Sequence, residues 1–188
     1  MTPPLPPEFD TLQRLADPFE RRLYFAAILA KYAAARDGQF VIVGGHAVEF
    51  YTDGGYATQD ADLLTPDKLP LAQLLIEWGF KLEGRVYWHP GLRLVVDLID
   101  DRPSGDPERA VELAVRDLTV RIAPVEEVII DRLNAGVHWR SEEDLRWARA
   151  VLLANAADVD WEYLQARAAE DQVTEALVGI RQEVTGDG

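Results

Sequence analysis

Cysteine is absent from this 188-residue chain, which removes any disulfide framework and any thiolate metal site. Long apolar runs are absent as well, and none approaches the ~20 residues a membrane-spanning helix needs. The opening MTPPLPPEFD carries neither a basic n-region nor an apolar h-region, so no secretory signal is expected. Together these absences predict a cytoplasmic protein with no membrane partner. Positive charge is scarce: 19 Lys plus Arg stand against 33 Asp plus Glu, a net charge of −14. Such a field repels polyanions and weakens non-specific nucleic-acid binding, which depends on neutralising phosphates. It leaves room for a nucleotide whose charge is met by Mg²⁺. Several motifs are missing too. No GxGxxG and no Walker lysine follow the first apolar strand, no EF-hand loop surrounds the acids, and HExxH is absent. His46, His89 and His138 are too scattered to argue a metal site.

What is present is enough for one folded domain, alone or with a helical appendage. The hydrophobic fraction is 48%, ordinary for a chain that buries a core. Residues 1–7 hold four prolines and read as an extended lead-in. Glu8 to Ala16 reads as a short helix. Asp17-Pro18 then caps a second one, whose apolar stripe runs through Leu23, Phe25, Ala26, Ile28, Leu29 and Tyr32. A helix ending at Trp78-Gly79 is expected to turn Leu71, Leu74, Leu75 and Trp78 inward. Short strands are expected at 80–83 and 86–88, at 92–99, and at 111–115 and 118–122; Asp100 to Glu108 reads as a polar loop. From Pro124 onward the pattern is helical. The expected organisation is an α/β core with its N-terminal helix over 1–123 and a helical part over 124–188 packed on it.

The chemistry concentrates between Phe40 and Leu64, FVIVGGHAVEFYTDGGYATQDADLL. Phe40 to Val43 reads as a buried strand, ended by Gly44-Gly45, with helical spacing resuming after it. A glycine pair at a helix start offers backbone N–H groups to phosphate. On a strand, Asp60 and Asp62 share a face about 6.6 Å apart at ~3.3 Å per residue, close enough to share metal ions. Asp97 sits among Val95, Val96, Leu98 and Ile99, where a carboxylate is costly unless paired or metal-bound.

Gly44-Gly45, then Thr58-x-Asp60-x-Asp62, then Asp97 on a later strand resembles the polymerase-β-type nucleotidyltransferase superfamily. The later Glu127-Val-Ile-Ile-Asp131-Arg132-Leu133 and Arg140-Ser-Glu-Glu-Asp144-Leu145 are similar to AbiEii-type and related bacterial nucleotidyltransferases. The resemblance implies an α+β nucleotidyltransferase fold, a mixed sheet flanked by helices, with the C-terminal helices closing a nucleotide cleft. It implies Asp60, Asp62 and Asp97 as catalytic ligands of Mg²⁺ or Mn²⁺, hard cations suited to oxygen donors. It implies that Gly44, Gly45, Thr58, Arg132 and Asp144 contact an NTP. Read alone, Asp131 and Arg132 also fit a plain ion pair on a helix surface. Trp139, Trp147 and Trp161 are expected to pack helices.

The activity implied is transfer of a nucleotidyl group from an NTP to a hydroxyl of RNA, protein or a small molecule. The setting implied is a toxin with an antitoxin partner. Two other readings stay open: a small-molecule nucleotidyltransferase in place of one acting on tRNA, and a binding or regulatory module that keeps the fold without catalysis.

Overall fold

The computed structural model describes residues 5–100 and 105–185. Residues 1–4 of the proline-rich lead-in and 101–104 of the expected polar loop lie outside the described residues. Among the described residues seven strands form one mixed sheet, in the order 81–83, 86–89, 94–100, 60–65, 41–42, 118–122 and 111–115. In chain order the elements begin with α1 (Phe9–Leu12), α2 (Pro18–Ala34), β1 (Val41–Ile42), α3 (Gly44–Tyr51) and β2 (Asp60–Thr65). They continue with α4 (Leu69–Glu77), β3 (Lys81–Glu83), β4 (Val86–His89), β5 (Leu94–Asp100), β6 (Val111–Val115) and β7 (Leu118–Ile122). Helices α5 (Val125–His138), α6 (Glu142–Asn155), α7 (Trp161–Glu170) and α8 (Thr174–Thr185) complete the described chain.

Local chemistry explains most of the boundaries. Asp17 accepts the Glu20 N–H at 2.7 Å and Pro18 opens α2, as the Asp-Pro pair predicts. Gly79, at φ +89°, stops the segment after α4. The first helix is shorter than expected, because Arg14 and Leu15 bond back to Thr11 and Leu12, a tighter three-residue spacing that ends the α-turns. The first strand contracts to Val41–Ile42, and β2 starts at Asp60 rather than at Thr58.

Alternation along β2 sorts its side chains. Ala61, Leu63 and Thr65 are buried, while Asp60, Asp62 and Leu64 are half-buried on the other face. The buried side joins Val96 and Leu98 of β5, Phe25, Ile28 and Leu29 of α2, and Leu71, Leu74 and Leu75 of α4 in one core. Each fully buried Leu, Ile or Phe contributes about 1.5–3 kcal/mol by leaving water. The acids are therefore mounted on a strand whose opposite face is fixed by packing. A slip of one residue would turn them into the core.

Candidate active site

One cleft of about 620 Å³ opens over the polar face of the sheet. Its floor includes Val41, Val43, Asp60, Asp62, Leu64, Asp97 and Ile99; its walls include Gly44, Gly45, Tyr56, Thr58, Arg85, Glu127, Arg132 and Trp139. Strands β2 and β5 run parallel, with Asp62 opposite Asp97 and Asp60 opposite Val95. Neighbouring strands lie ~4.8 Å apart, so the register makes Asp62 and Asp97 lateral neighbours on the same face. The structure thus brings together seven of the eight residues singled out from the sequence. Asp144 does not line the cleft; it stands behind Arg132, its Oδ1 accepting from Nη1 at 2.8 Å.

Each acid already has a protein partner. The Thr58 hydroxyl donates to Asp60 Oδ1 at 2.8 Å. The Gly45 N–H, at the start of α3, donates to Asp62 Oδ2 at 2.8 Å. That amide, read from the sequence as a phosphate donor, here meets a carboxylate: the helix N-terminus favours any anion, and Asp62 is the nearest. The fit requires Gly44, whose φ is +58° and where a Cβ would fall within the Asp62 carboxylate. Asp97 pairs with Arg85 from the β3–β4 turn, Nη2 to Oδ2 3.1 Å; the Arg85 side chain is 84% exposed and that of Asp97 only 8%. Burial pushes the Asp62 carboxyl up to about 6, and the charges of Asp60 and then Asp97 push the same way.

Among the described residues, no group of three carboxylates or imidazoles is placed to hold a metal ion. The donor chemistry nevertheless fits a hard divalent cation: oxygen ligands only, on one open face, where burial first, and then the charges of Asp60 and Asp97, raise the Asp62 pKa. Arg85 meets Asp97 at Oδ2, which leaves its second oxygen to such a set.

On the facing wall, Arg132 is held by Asp131 at 2.5 Å and by Asp144 at 2.8 Å. Burial opposes its charge, but the two acids outweigh burial and its pKa is raised. The surface ion pair read from the sequence is therefore real, and it is one half of a clamp that fixes the guanidinium at the cleft.

Sequence reasoning missed three features. Glu127 accepts from the Tyr163 hydroxyl at 2.6 Å and from Arg167 Nε at 2.8 Å, a buried pair joining α5 to α7. Partners 36 and 40 residues away leave no local signal. His46, which the sequence left without an argued role, is fully buried, and both ring nitrogens lack a partner. Its neighbour Arg22 forms a buried ion pair with Glu49, and burial first, then the Arg22 charge, lowers the His46 pKa to about 3. The third concerns Trp139. It was expected to pack between helices, but it caps the end of α5 and is 81% exposed. The final turn of α5 carries it past the last buried position, Gly136. Trp147 packs edge-on against Tyr56 at 4.7 Å, and Trp161 lies under Arg181 at 4.5 Å, as expected of packing residues.

A solved structure of an antigenic nucleotidyltransferase-like protein from Paracoccidioides brasiliensis superposes with a TM-score of 0.62. It covers 91% of this chain and 92% of that one, at 16% identity. The chain has the nucleotidyltransferase fold. The solution structure of the antibiotic-resistance factor ANT(2'')-Ia shares this fold at a TM-score of 0.52 and 14% identity, over 86% of this chain and 98% of that one. No protein-family model and no curated protein sequence matches the chain. At these identities the likeness speaks for the nucleotidyltransferase fold and its mixed seven-stranded sheet.

Proposed function

We propose that the chain is a Mg²⁺-dependent nucleotidyltransferase, moving a nucleotidyl group from an NTP to a hydroxyl acceptor. The observation that carries this reading is the placement of Asp60, Asp62 and Asp97 on one open face, beside the Gly44-Gly45 helix start and opposite Arg132. In the reaction the acceptor oxygen attacks the α-phosphorus, the bond to the β-phosphate oxygen breaks, and pyrophosphate leaves. The acceptor's proton passes to a base, for which Asp97 is the candidate. Asp60, Asp62 and Asp97 would hold Mg²⁺ or Mn²⁺, which supplies charge neutralisation at the phosphates. Thr58 orients Asp60 through its hydroxyl. Asp144 and Asp131 hold Arg132 toward the cleft, where a guanidinium can take two phosphate oxygens.

The net charge of −14 favours a small hydroxylated acceptor over tRNA. A role as a toxin held by an antitoxin rests on the motif resemblance at Glu127–Leu133 and Arg140–Leu145. Expression that arrests growth, relieved by a neighbouring gene product, would support it. Within the cell, the cytoplasm is where an NTP donor would be met; no helix of the described residues is long and apolar enough to cross a membrane.

The test is a thermal-unfolding screen with ATP, GTP, CTP and UTP, each with and without Mg²⁺, on wild type and Asp60→Ala. A ligand at a hundred times its Kd adds ~2.7 kcal/mol, roughly 5–10 °C in Tm for a chain of this size. A Mg²⁺-dependent shift with one NTP, lost in Asp60→Ala, is the expected result. No shift with any NTP at millimolar concentration would instead leave a fold-retaining module without catalysis.

A further inference from the structure

Trp139 has no packing reason to be where it is. It is the most exposed of the large apolar side chains among the described residues, at 81%, yet it lines the same cleft as the three acids. It is the residue that caps α5, its N–H still bonded to the Ala135 carbonyl at 3.2 Å, so it continues the helical spacing. Val128, Arg132 and Trp139, at i, i+4 and i+11, share one helix face, and all three line the cleft. Along the axis Trp139 lies about 10 Å beyond Arg132, at 1.5 Å per residue over seven residues. That is a span a nucleotide bridges between its phosphates and its base.

The local backbone holds the ring out. α5 ends at His138, and Arg140 has a φ of +57°, which turns the chain sharply before Ser141 caps α6. Gly136, one turn earlier, is where Leu145 of α6 presses so closely that a Cβ would meet its side chain. The α5–α6 corner is thus locked by packing below Trp139, while the indole itself stays unpacked. A large flat ring on a rigid corner suits sequence-tolerant stacking, because every base has a π-face and little conformational freedom is lost on contact.

We propose that Trp139 is the stacking platform for the base of the donor nucleotide, with Arg132 holding the phosphate end of the same molecule. This rests on the nucleotidyltransferase reading. It assigns the far end of the cleft to the base and the acid-lined end to the phosphates and acceptor. The acceptor then has to reach the α-phosphorus from the side of Asp97 and Arg85, away from Trp139.

Binding of the four NTPs and of inorganic tripolyphosphate, each with Mg²⁺, to wild type, Trp139→Ala and Trp139→Phe separates the outcomes. Tripolyphosphate carries the phosphate chain without a base. Trp139→Ala should weaken the preferred NTP roughly 10- to 100-fold, leave tripolyphosphate unchanged, and recover most of the loss as Trp139→Phe. Quenching of tryptophan fluorescence by the NTP should shrink in Trp139→Phe. Equal NTP affinity in Trp139→Ala and wild type overturns the stacking role while leaving the transferase reading standing. An equal loss for NTP and tripolyphosphate also overturns it, since Trp139 would then act through the shape of the site. Wild type that binds no NTP at all removes the transferase reading itself, and this proposal with it.

Discussion

Asp62 in the cleft and His46, buried in α3 and outside the cleft lining, have opposed titrations. Asp62, raised to about 6, is easier to protonate folded than unfolded. Its contribution to stability is therefore full below about pH 4 and lost as pH rises through 6. Asp62→Asn keeps an oxygen for the Gly45 amide and cannot ionise. It should stabilise the protein at pH 8 by on the order of 2–3 kcal/mol and change little near pH 4. Urea melts at the two pH values read this directly, and an equal change at both would show that Asp62 is not strained by its charge. His46 runs the other way. Its pKa is depressed to about 3, so its contribution is present above about 6.5 and lost as pH falls toward 3. His46→Leu removes two unpaired buried nitrogens beside Phe19. A gain of about 1–3 kcal/mol is expected, larger at pH 5 than at pH 8. A loss at both pH values would mean that the imidazole has a partner, such as buried water, that stabilises it. Over pH 4 to 6 the two groups offset each other, and the wild-type profile should be flatter than either variant's.

At the scale of elements, the junction of β1, α3 and β2 carries the most constraint. Gly44 opens α3 in the left-handed region with the Asp62 carboxylate pressed against it; Gly54 has a φ of +78° but open space around it. Gly54→Ala should therefore show backbone strain alone, about 1–3 kcal/mol. Gly44→Ala should show that strain plus displacement of Asp62, with a Tm drop larger by several degrees. Equal drops would mean the carboxylate moves aside freely. The same junction explains what was legible beforehand. The Gly-Gly pair, the DxD alternation and the acid inside LRLVVDLI are local patterns, and the structure sets all of them on one cleft. The strands at 111–115 and 118–122 were likewise readable from alternation. Arg85 on Asp97, Arg167 on Glu127 and the exposure of Trp139 were not. Each depends on how a hairpin or a helix end is aimed, which sequence spacing does not encode.

For the molecule as a whole, the charge sets what can approach. With −14 overall, encounter with an NTP is opposed at long range and favoured only inside the cleft, near Arg85 and Arg132. Raising salt screens the long-range term first. NTP association should thus hold steady or quicken between low and physiological ionic strength, whereas proteins that engage nucleic-acid phosphates weaken steeply. Stopped-flow association rates across a salt series test this. A steep fall with salt would point to a basic surface that dominates capture, and would reopen tRNA as acceptor.

The shortest strand has a consequence for when the site can exist. β1 joins the two halves of the sheet, pairing antiparallel with β2 and parallel with β7, its Ile42 opposite Ile122. Those partners are 80 residues apart (122 − 42). Synthesis at ~5–20 residues per second puts roughly 4–16 s between their appearance. Until Ile122 emerges, β1 and the glycine turn that follows it are held from one side only, and α5, which brings Arg132 and Trp139, has yet to be made. The acids are thus made early, and the wall that would grip a nucleotide is made last. A nascent chain stalled before Val125 should carry the carboxylates yet retain no nucleotide.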